Sequence, residues 1–161
     1  MTQLSPAANG EIRLALFQPD IAPNVGAIIR TCACLSVPLD VIEPCGFPFS
    51  LHAVRRQAMD YGDRADITRH DSWDRFQDGR AGRLVAMTTH GSVPLWDFTF
   101  ETGDILLMGR ESAGLPDEVH RAADARVAIP MAAGTRSLNI AVAAGIVMAE
   151  GLRQLGAGRA P

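Results

Sequence analysis

Short apolar runs alternate along this chain with longer segments in which apolar residues recur every three or four positions. Runs of the first kind, when they are bounded by Pro, Gly or Asp, predict buried strands. The sequence predicts strands over Ile12–Phe17, Leu39–Ile42, Ala65–Thr68, Leu84–Met87, Asp104–Met108 and Ala125–Ile129.

Helices are predicted between these strands. Asn24 is a favoured capping residue, and the apolar residues after it keep the helical period as far as Leu35. Pro116 predicts the first turn of a short helix, where proline is favoured. Further helices are predicted over Leu51–Met59, over Ser72–Gln77 behind the cap Asp71, and over Asn139–Leu155 before Gly156. Strands separated by helices predict an α/β fold, with a mostly parallel sheet and helices on both faces.

The domain organisation follows from what interrupts this pattern. Residues 12–161 contain no tandem repeat or low-complexity linker, so we expect a single domain there. Residues 1–11 lack the basic start and apolar core of a signal peptide, and we expect a flexible leader. The longest apolar stretch, Ile140–Ala149, is about half the length that a membrane span needs. The expected location is therefore cytoplasmic, with no membrane partner.

The last predicted helix is apolar on every side over Ile140–Ala149. A helix that packs only against its own sheet usually keeps a polar face. Either this helix is central to the core or a partner subunit covers its second side. Its late position, where covering chain is scarce, favours the partner, and a twofold homodimer is the usual form.

Charge and cysteine usage restrict the function. The net charge of −3 argues against a generally basic nucleic-acid-binding surface, so any RNA contact must come from a local patch. The three cysteines and four histidines show no metal-ligand spacing, and we expect no metal site.

Three segments carry candidate chemistry. In the first, Arg30 shares a helix face with Gly26 and Ala27, where a guanidinium can bind a phosphate or stabilise an alkoxide. In the second, a strand runs into a loop between Gly109 and Gly114, and ligands of open α/β sheets bind at such strand ends. The third, Ile129–Asn139, joins a strand to a helix through small residues.

Each segment also has a purely structural interpretation. Arg30 fits a solvated surface arginine, and the glycine loop fits an ordinary strand-to-helix turn. Ser137 and Asn139 fit helix caps.

Together and in this order, the segments resemble the motifs of the SpoU class of RNA ribose methyltransferases in the SPOUT superfamily. The shared residues are Asn24, Gly26 and Arg30, then Gly109, Glu111 and Gly114, then Pro130, Ser137, Leu138 and Asn139. The likeness runs from Arg13 to Gly156. It implies an α/β sheet with a deep trefoil knot at its carboxyl end, and an obligate homodimer.

Further blocks resemble the small tRNA (cytidine/uridine-2′-O)-methyltransferases of the wobble nucleotide. These blocks are Ile42–Phe47, Arg55-Arg56 with Asp60-Tyr61, Thr68–His70, Met87–Gly91 and Arg153–Gly156. The resemblance implies tRNA, through its anticodon stem-loop, as the partner. Two features depart from this branch. Ile140-Ala141-Val142 stands where it often has Leu-Ser-Asn, which leaves open another ribose of tRNA or ribosomal RNA as the target. Arg110 stands where it often has proline, and is expected either to contact RNA or to be solvated.

The resemblance also implies roles for individual residues. S-adenosylmethionine would be the methyl donor, without a metal, and Arg30 would act at the ribose by stabilising the nascent alkoxide. Asn24, Glu111 and Asn139 would hold the loops and the arginine in place. The donor pocket would be formed by Met87, Thr88, Gly109, Ile129, Ser137 and Leu138. RNA contacts are expected from Arg55, Arg56 and Arg136, with Arg64, Arg69 and His70 in the same patch. No histidine or carboxylate stands out near the motifs as the base.

Two other functions compete with this enzyme. A catalytically silent RNA-binding dimer would be free to lose Arg30, Glu111, Ser137 and Asn139, all of which are present. A nucleotide-binding module of flavodoxin type is the more distant alternative, which a test of methyl-donor binding would separate.

Overall fold

The computed structural model describes residues 12–50, 64–90 and 92–156. Within these ranges the strands are β1 (Ile12–Phe17), β2 (Leu39–Ile42), β3 (Ile67–His70), β4 (Leu84–Met87), β5 (Val93–Pro94), β6 (Asp104–Met108) and β7 (Ala125–Ala128). Four strands, β1, β2, β4 and β6, have the predicted bounds. The third begins two residues later than predicted, β7 ends one residue earlier, and the short strand β5 was not predicted.

The helices in the described ranges are α1 (Ala22–Leu35), α2 (Trp73–Gly79), α3 (Asp117–Ala122) and α4 (Ile140–Leu155). Asn139 caps α4 as predicted, and Gly156 ends it in the left-handed region at φ +79°. The predicted cap of the first helix is wrong, because α1 begins at Ala22 and Asn24 lies in its first turn. The predicted cap of α2, Asp71, is also wrong. The cap is Ser72, whose side chain accepts a hydrogen bond from the backbone N–H of Arg75.

Two predictions, the helix over Leu51–Met59 and the leader over residues 1–11, lie outside the described residues.

All neighbouring strands pair in parallel, in the order β3-β2-β1-β6-β4-β7-β5. Alternate side chains of β1 enter two different cores. Leu14 and Leu16 pack in the core that also holds the apolar residues of α1 and α4. Ala15 and Phe17 pack in the other, with residues of α2 and α3. The predicted class, a parallel α/β sheet with helices on both faces, is confirmed.

No helix in the described part of the chain is long and apolar enough to cross a membrane.

The carboxyl ends of parallel strands meet at one edge of a sheet. The loops that follow β1, β4, β6 and β7 therefore leave the same edge, near the topological position where ligands bind in this fold class. The second and third predicted motif segments are two of these loops, and α1, which carries the first, begins directly after the loop that follows β1.

Candidate active site

A cavity of about 530 Å³ opens at the carboxyl edge of the sheet. All six residues predicted for the donor pocket line it: Met87, Thr88, Gly109, Ile129, Ser137 and Leu138. Its volume suits a ligand of nucleoside size, and pockets for such ligands combine mostly apolar walls with a few polar groups. The structure thus brings residues from three separate loops to one concave site.

Three amide and carboxylate side chains at the cavity connect the three motif segments. Asn24 on α1 donates its Nδ2 to Oε1 of Glu111 at 3.2 Å, and its Oδ1 accepts from Nδ2 of Asn139 at 3.1 Å. All three residues also line the cavity. This accounts for the position of Asn24 inside the helix rather than at its cap, because its side chain bonds to the other two motifs.

Asn139 has a second function at the start of α4. Its Oδ1 accepts from the backbone N–H of Ala141 at 2.8 Å and from that of Val142 at 3.3 Å. These are N–H groups that a helix cannot satisfy internally. The same side chain therefore caps the helix with its oxygen and holds Asn24 with its nitrogen, so the capping and functional interpretations of Asn139 are compatible.

The loop over residues 109–114 is closed by hydrogen bonds within its own backbone, and it requires both Gly109 and Gly114. Arg110 and Gly114 exchange backbone hydrogen bonds of 3.0 and 2.8 Å, and Gly114 has φ +67°. A Cβ on Gly109 would lie 2.7 Å from the carbonyl carbon of Gly114, which is closer than side chains tolerate. The glycines are thus required by the loop's own packing, in addition to any approach of a ligand.

Asp20, in the loop after β1, fastens the glycine loop from outside. Its carboxylate accepts from the guanidinium of Arg110 at 2.8 Å and from both the backbone and the hydroxyl of Ser112, while its own N–H donates to Glu111 at 2.7 Å. The hydrogen bonds from Ser112 and Arg110 lower the pKa of Asp20 to about 2. Arg110 is therefore held by Asp20 rather than freely solvated, and the alternative expectation, a contact with RNA, stays a prediction. Asp20 was missed because it belongs to none of the motif segments.

The predicted RNA-facing arginines are placed differently from one another. Arg30 lies exposed on α1, and Arg136 lies exposed at the cavity, which it lines. Gly26 precedes Arg30 by four residues on α1, so the two share a helix face as predicted, although Gly26 is buried and Arg30 is exposed. Arg30 is outside the cavity lining, six residues and about 9 Å of helix rise beyond Asn24. Arg55 and Arg56 lie outside the described residues.

Two members of the wider basic patch are occupied by carboxylates. Arg69 pairs with Glu43, and the ring of His70 lies 2.8 Å from Asp40. The charge of Arg69 is therefore compensated by Glu43, and one ring nitrogen of His70 is used by Asp40, which weakens the case that these side chains meet phosphates.

Two histidines that are distant in sequence meet in the cavity wall. The rings of His90, after β4, and His120, on α3, have centroids 5.5 Å apart, and both residues line the cavity. Spacing along the chain provides no signal for this pair, because 30 residues separate the two histidines and their contact depends on the strand order. The described residues contain no group of three or more His, Cys, Asp or Glu side chains suited to a metal ion.

Comparison with known proteins places the chain among methyltransferases. The model of the SpoU rRNA methylase family matches residues 11–149. A protein of Beijerinckia indica named tRNA (cytidine(34)-2′-O)-methyltransferase is 54% identical over 149 residues, covering 89% of this chain and 92% of its own.

Solved structures agree. One, described as giving structural insights into the 2-OH methylation of C/U34 on tRNA, superposes with a TM-score of 0.85 at 39% identity, over 94% of this chain and 99% of its own. An rRNA methyltransferase of Sinorhizobium meliloti with bound AdoMet has a TM-score of 0.79 at 35% identity, over 91% of this chain and 57% of its own.

Proposed function

The chain belongs to the SpoU rRNA methylase family, and on that premise we propose that it transfers a methyl group from S-adenosylmethionine to the ribose 2′-hydroxyl of nucleotide 34 of tRNA. The observation that carries this proposal is the hydrogen-bonded series Glu111–Asn24–Asn139 at the edge of a cavity of about 530 Å³. It joins the three segments of the family pattern around one site. A relative that is 54% identical over 149 residues is named for the same reaction, and a solved structure that is 39% identical is described by it.

The cavity fits the methyl donor in size and in the character of its walls. Met87, Met108, Leu115 and Ile129 offer apolar surface, while Thr88 and Ser137 offer polar groups. One buried imidazole in the wall, His120, has no hydrogen-bond partner in the described part of the chain. When bound, the donor supplies an activated methyl group on its sulfonium, so the protein needs only to orient it and prepare the ribose oxygen.

Different residues of this chain bind the donor, position the loops and stabilise the ribose oxygen. The loop over residues 109–114 and the Ser137–Asn139 segment hold the donor, and Asn24, Glu111 and Asn139 fix these segments to the start of α1. Arg30, exposed on the same helix, faces the incoming RNA and stabilises the ribose oxygen as it loses its proton. The proton passes to water or to a phosphate of the RNA.

The loops are held directly by the hydrogen bonds of Asn24, Glu111 and Asn139. These bonds position Arg30 only indirectly, because Arg30 lies further along α1. Arg136 at the cavity, together with Arg55 and Arg56, contacts the anticodon stem-loop. Contacts of this kind make binding sensitive to salt.

The active form is a homodimer. Ile21, Leu138 and Val142 are 44%, 40% and 53% exposed, which is high for large apolar side chains. The bond between Asn24 and Asn139 joins the starts of α1 and α4, where Ile21, Leu138 and Val142 lie, and we infer that these side chains share one apolar surface beside the cavity. A second copy of the chain covers that surface and completes the site.

The remaining assignments follow the family. Residues 12–161 form one domain, since a single sheet collects strands from β1 to β7. The knot near the carboxyl end is proposed from the resemblance to the family. The return of the chain from β7, at one side of β4, to α4, which packs against β1 and β6 at the other, is compatible with it. A tRNA substrate places the enzyme in the cytoplasm.

The function is tested by methyl transfer from labelled S-adenosylmethionine to tRNA that lacks ribose methylation at position 34, with the product nucleoside mapped by mass spectrometry. We expect a 2′-O-methylated nucleotide 34. Label at another ribose would keep the reaction and overturn the target. Bound donor without transfer to tRNA or ribosomal RNA would favour the catalytically silent RNA-binding dimer.

A further inference from the structure

The wall of the cavity contains an imidazole with no hydrogen-bond partner among the described residues. His120 is only 7% exposed, and both Nδ1 and Nε2 lack a partner there. The backbone of Leu115 lies nearby without the geometry of a hydrogen bond. Buried polar groups in folded proteins are nearly always paired, so this exception in a cavity wall calls for an explanation, and a polar group of a ligand in the cavity would provide one.

The position of His120 in the fold makes a packing role alone insufficient. Its neighbour Val119 fills the second core, between α3 and the sheet, as an apolar residue should. His120 instead lines the cavity beside Leu115 and His90. A leucine at this position would fill the same kind of space without leaving two nitrogens unpaired.

The surroundings keep this imidazole uncharged. Burial, the ring of His90 and the guanidinium of Arg126 lower the pKa of His120, and Asp117 on the same helix opposes them only in part. A neutral imidazole presents one N–H donor and one lone-pair acceptor. It can therefore bind a polar group of a ligand without adding positive charge to a site for a cationic sulfonium compound.

We propose that His120 is a donor-binding residue, whose ring hydrogen-bonds a polar group of the S-adenosyl ligand in the cavity. The inference rests on the proposed function, because it takes the ligand from there. It adds a side-chain contact from α3 to a pocket that the sequence motifs assign to the loops after β4, β6 and β7.

The first test measures binding of S-adenosylmethionine and S-adenosylhomocysteine by titration calorimetry to the wild type, His120→Leu, His120→Asn and the control Arg121→Gln. Arg121 is the exposed neighbour on the same helix. We expect His120→Leu to weaken binding of both ligands about tenfold. His120→Asn, which keeps a donor and an acceptor near Nδ1, should recover most of the loss, and Arg121→Gln should bind as the wild type does.

Thermal unfolding without ligand separates binding from packing. Because His120→Leu removes a buried and unpaired imidazole, we expect its melting temperature to equal or exceed that of the wild type. A lower melting temperature together with weaker binding in both His120 variants would assign the residue to packing and overturn the proposal. Unchanged binding in a folded His120→Leu protein would overturn it as well.

Nitrogen-15 spectra of the histidine rings give a direct readout. Adding S-adenosylhomocysteine should shift one ring signal that is missing from His120→Leu. Absence of that shift in a protein that binds the ligand would contradict the contact. A wild-type chain that binds neither S-adenosyl compound would instead overturn the proposed function, and this inference with it.

Discussion

The side-chain nitrogen of Asn139 donates to Oδ1 of Asn24 at 3.1 Å, across 115 residues of chain. The bond joins the first turn of α1 to the first turn of α4. Since Asn24 also donates to Glu111, one small amide holds two other motif segments at the cavity. An aspartate at either asparagine could not donate, so the arrangement requires amides at both positions. Glu111 accepts with both carboxylate oxygens, from Asn24 and from the N–H of Asp20, so a glutamine there would replace one acceptor with a donor.

Removing Asn24 and Asn139 singly and together should therefore give non-additive losses of stability. Asn24→Ala and Asn139→Ala are each expected to lower the free energy of unfolding by about 1–2 kcal/mol, through lost hydrogen bonds and a lost helix cap. The double variant should lose less than the sum, by about 0.5–1 kcal/mol. Chemical denaturation of the four proteins measures this coupling.

Ser72→Ala provides the control for that cycle. Ser72 caps α2, beside the edge strand β3, and shares no bond with the asparagine pair. Combined with Asn24→Ala, it should be additive within about 0.5 kcal/mol. Full additivity of Asn24→Ala and Asn139→Ala would contradict the bond between them.

Asp20 predicts a distinct acid dependence of stability. Its pKa falls to about 2 in the folded protein from an ordinary 3.8, so the folded state favours the ionised form. The stabilisation is complete above pH 4 or so and is lost as the pH falls towards 2. Between these values, the free energy of unfolding of the wild type should fall more steeply with acid than that of Asp20→Asn, as measured by urea denaturation.

The control for this measurement is Asp71→Asn. The Asp71 side chain is 86% exposed and lies 3.9 Å from Arg69, so its substitution should leave the acid slope of the wild type unchanged. Equal slopes for Asp20→Asn and the wild type would mean that the contacts with Ser112 and Arg110 do not stabilise the fold.

The strands were largely predictable from the sequence because buried parallel strands are nearly continuous apolar runs. β1 and β6 are such runs, and both have the predicted bounds. The sequence did not predict β5, because Val93-Pro94 is too short to form an apolar run and is a strand only through its pairing with β7. The third strand was misplaced because two of its four residues are exposed and the other two only partly buried, so its apolar signal is weak.

The sequence predicted only those site residues that belong to a family motif. The glycine loop and the Asn24, Glu111 and Asn139 side chains came from the family pattern, and the structure joins them. Asp20 and His120 lie outside every motif. Their contacts with Ser112 and with His90 arise from strand order, which spacing along the chain does not encode.

Arg30→Ala should abolish methyl transfer while leaving the fold intact. The side chain is exposed and outside the cavity lining, so donor binding by calorimetry and thermal unfolding should match the wild type. Loss of electrostatic stabilisation at the ribose oxygen should lower kcat about 100-fold or more. Arg75→Ala, at an exposed arginine on α2, should retain full activity. Turnover of Arg30→Ala at the wild-type rate would remove Arg30 from the mechanism.

Placing a charge on the apolar surface of Ile21, Leu138 and Val142 should separate the proposed dimer. Val142 is 53% exposed in the single chain, and an arginine there would place an unpaired charge inside the interface, which is strongly unfavourable. Val142→Arg should therefore sediment as a monomer and lose activity together with the completed site. Val93→Arg, at a valine 44% exposed on the edge strand β5, should keep the oligomeric state of the wild type. If Val142→Arg remained dimeric, the subunits would have to meet through another surface, and the apolar surface beside the cavity would be left for RNA.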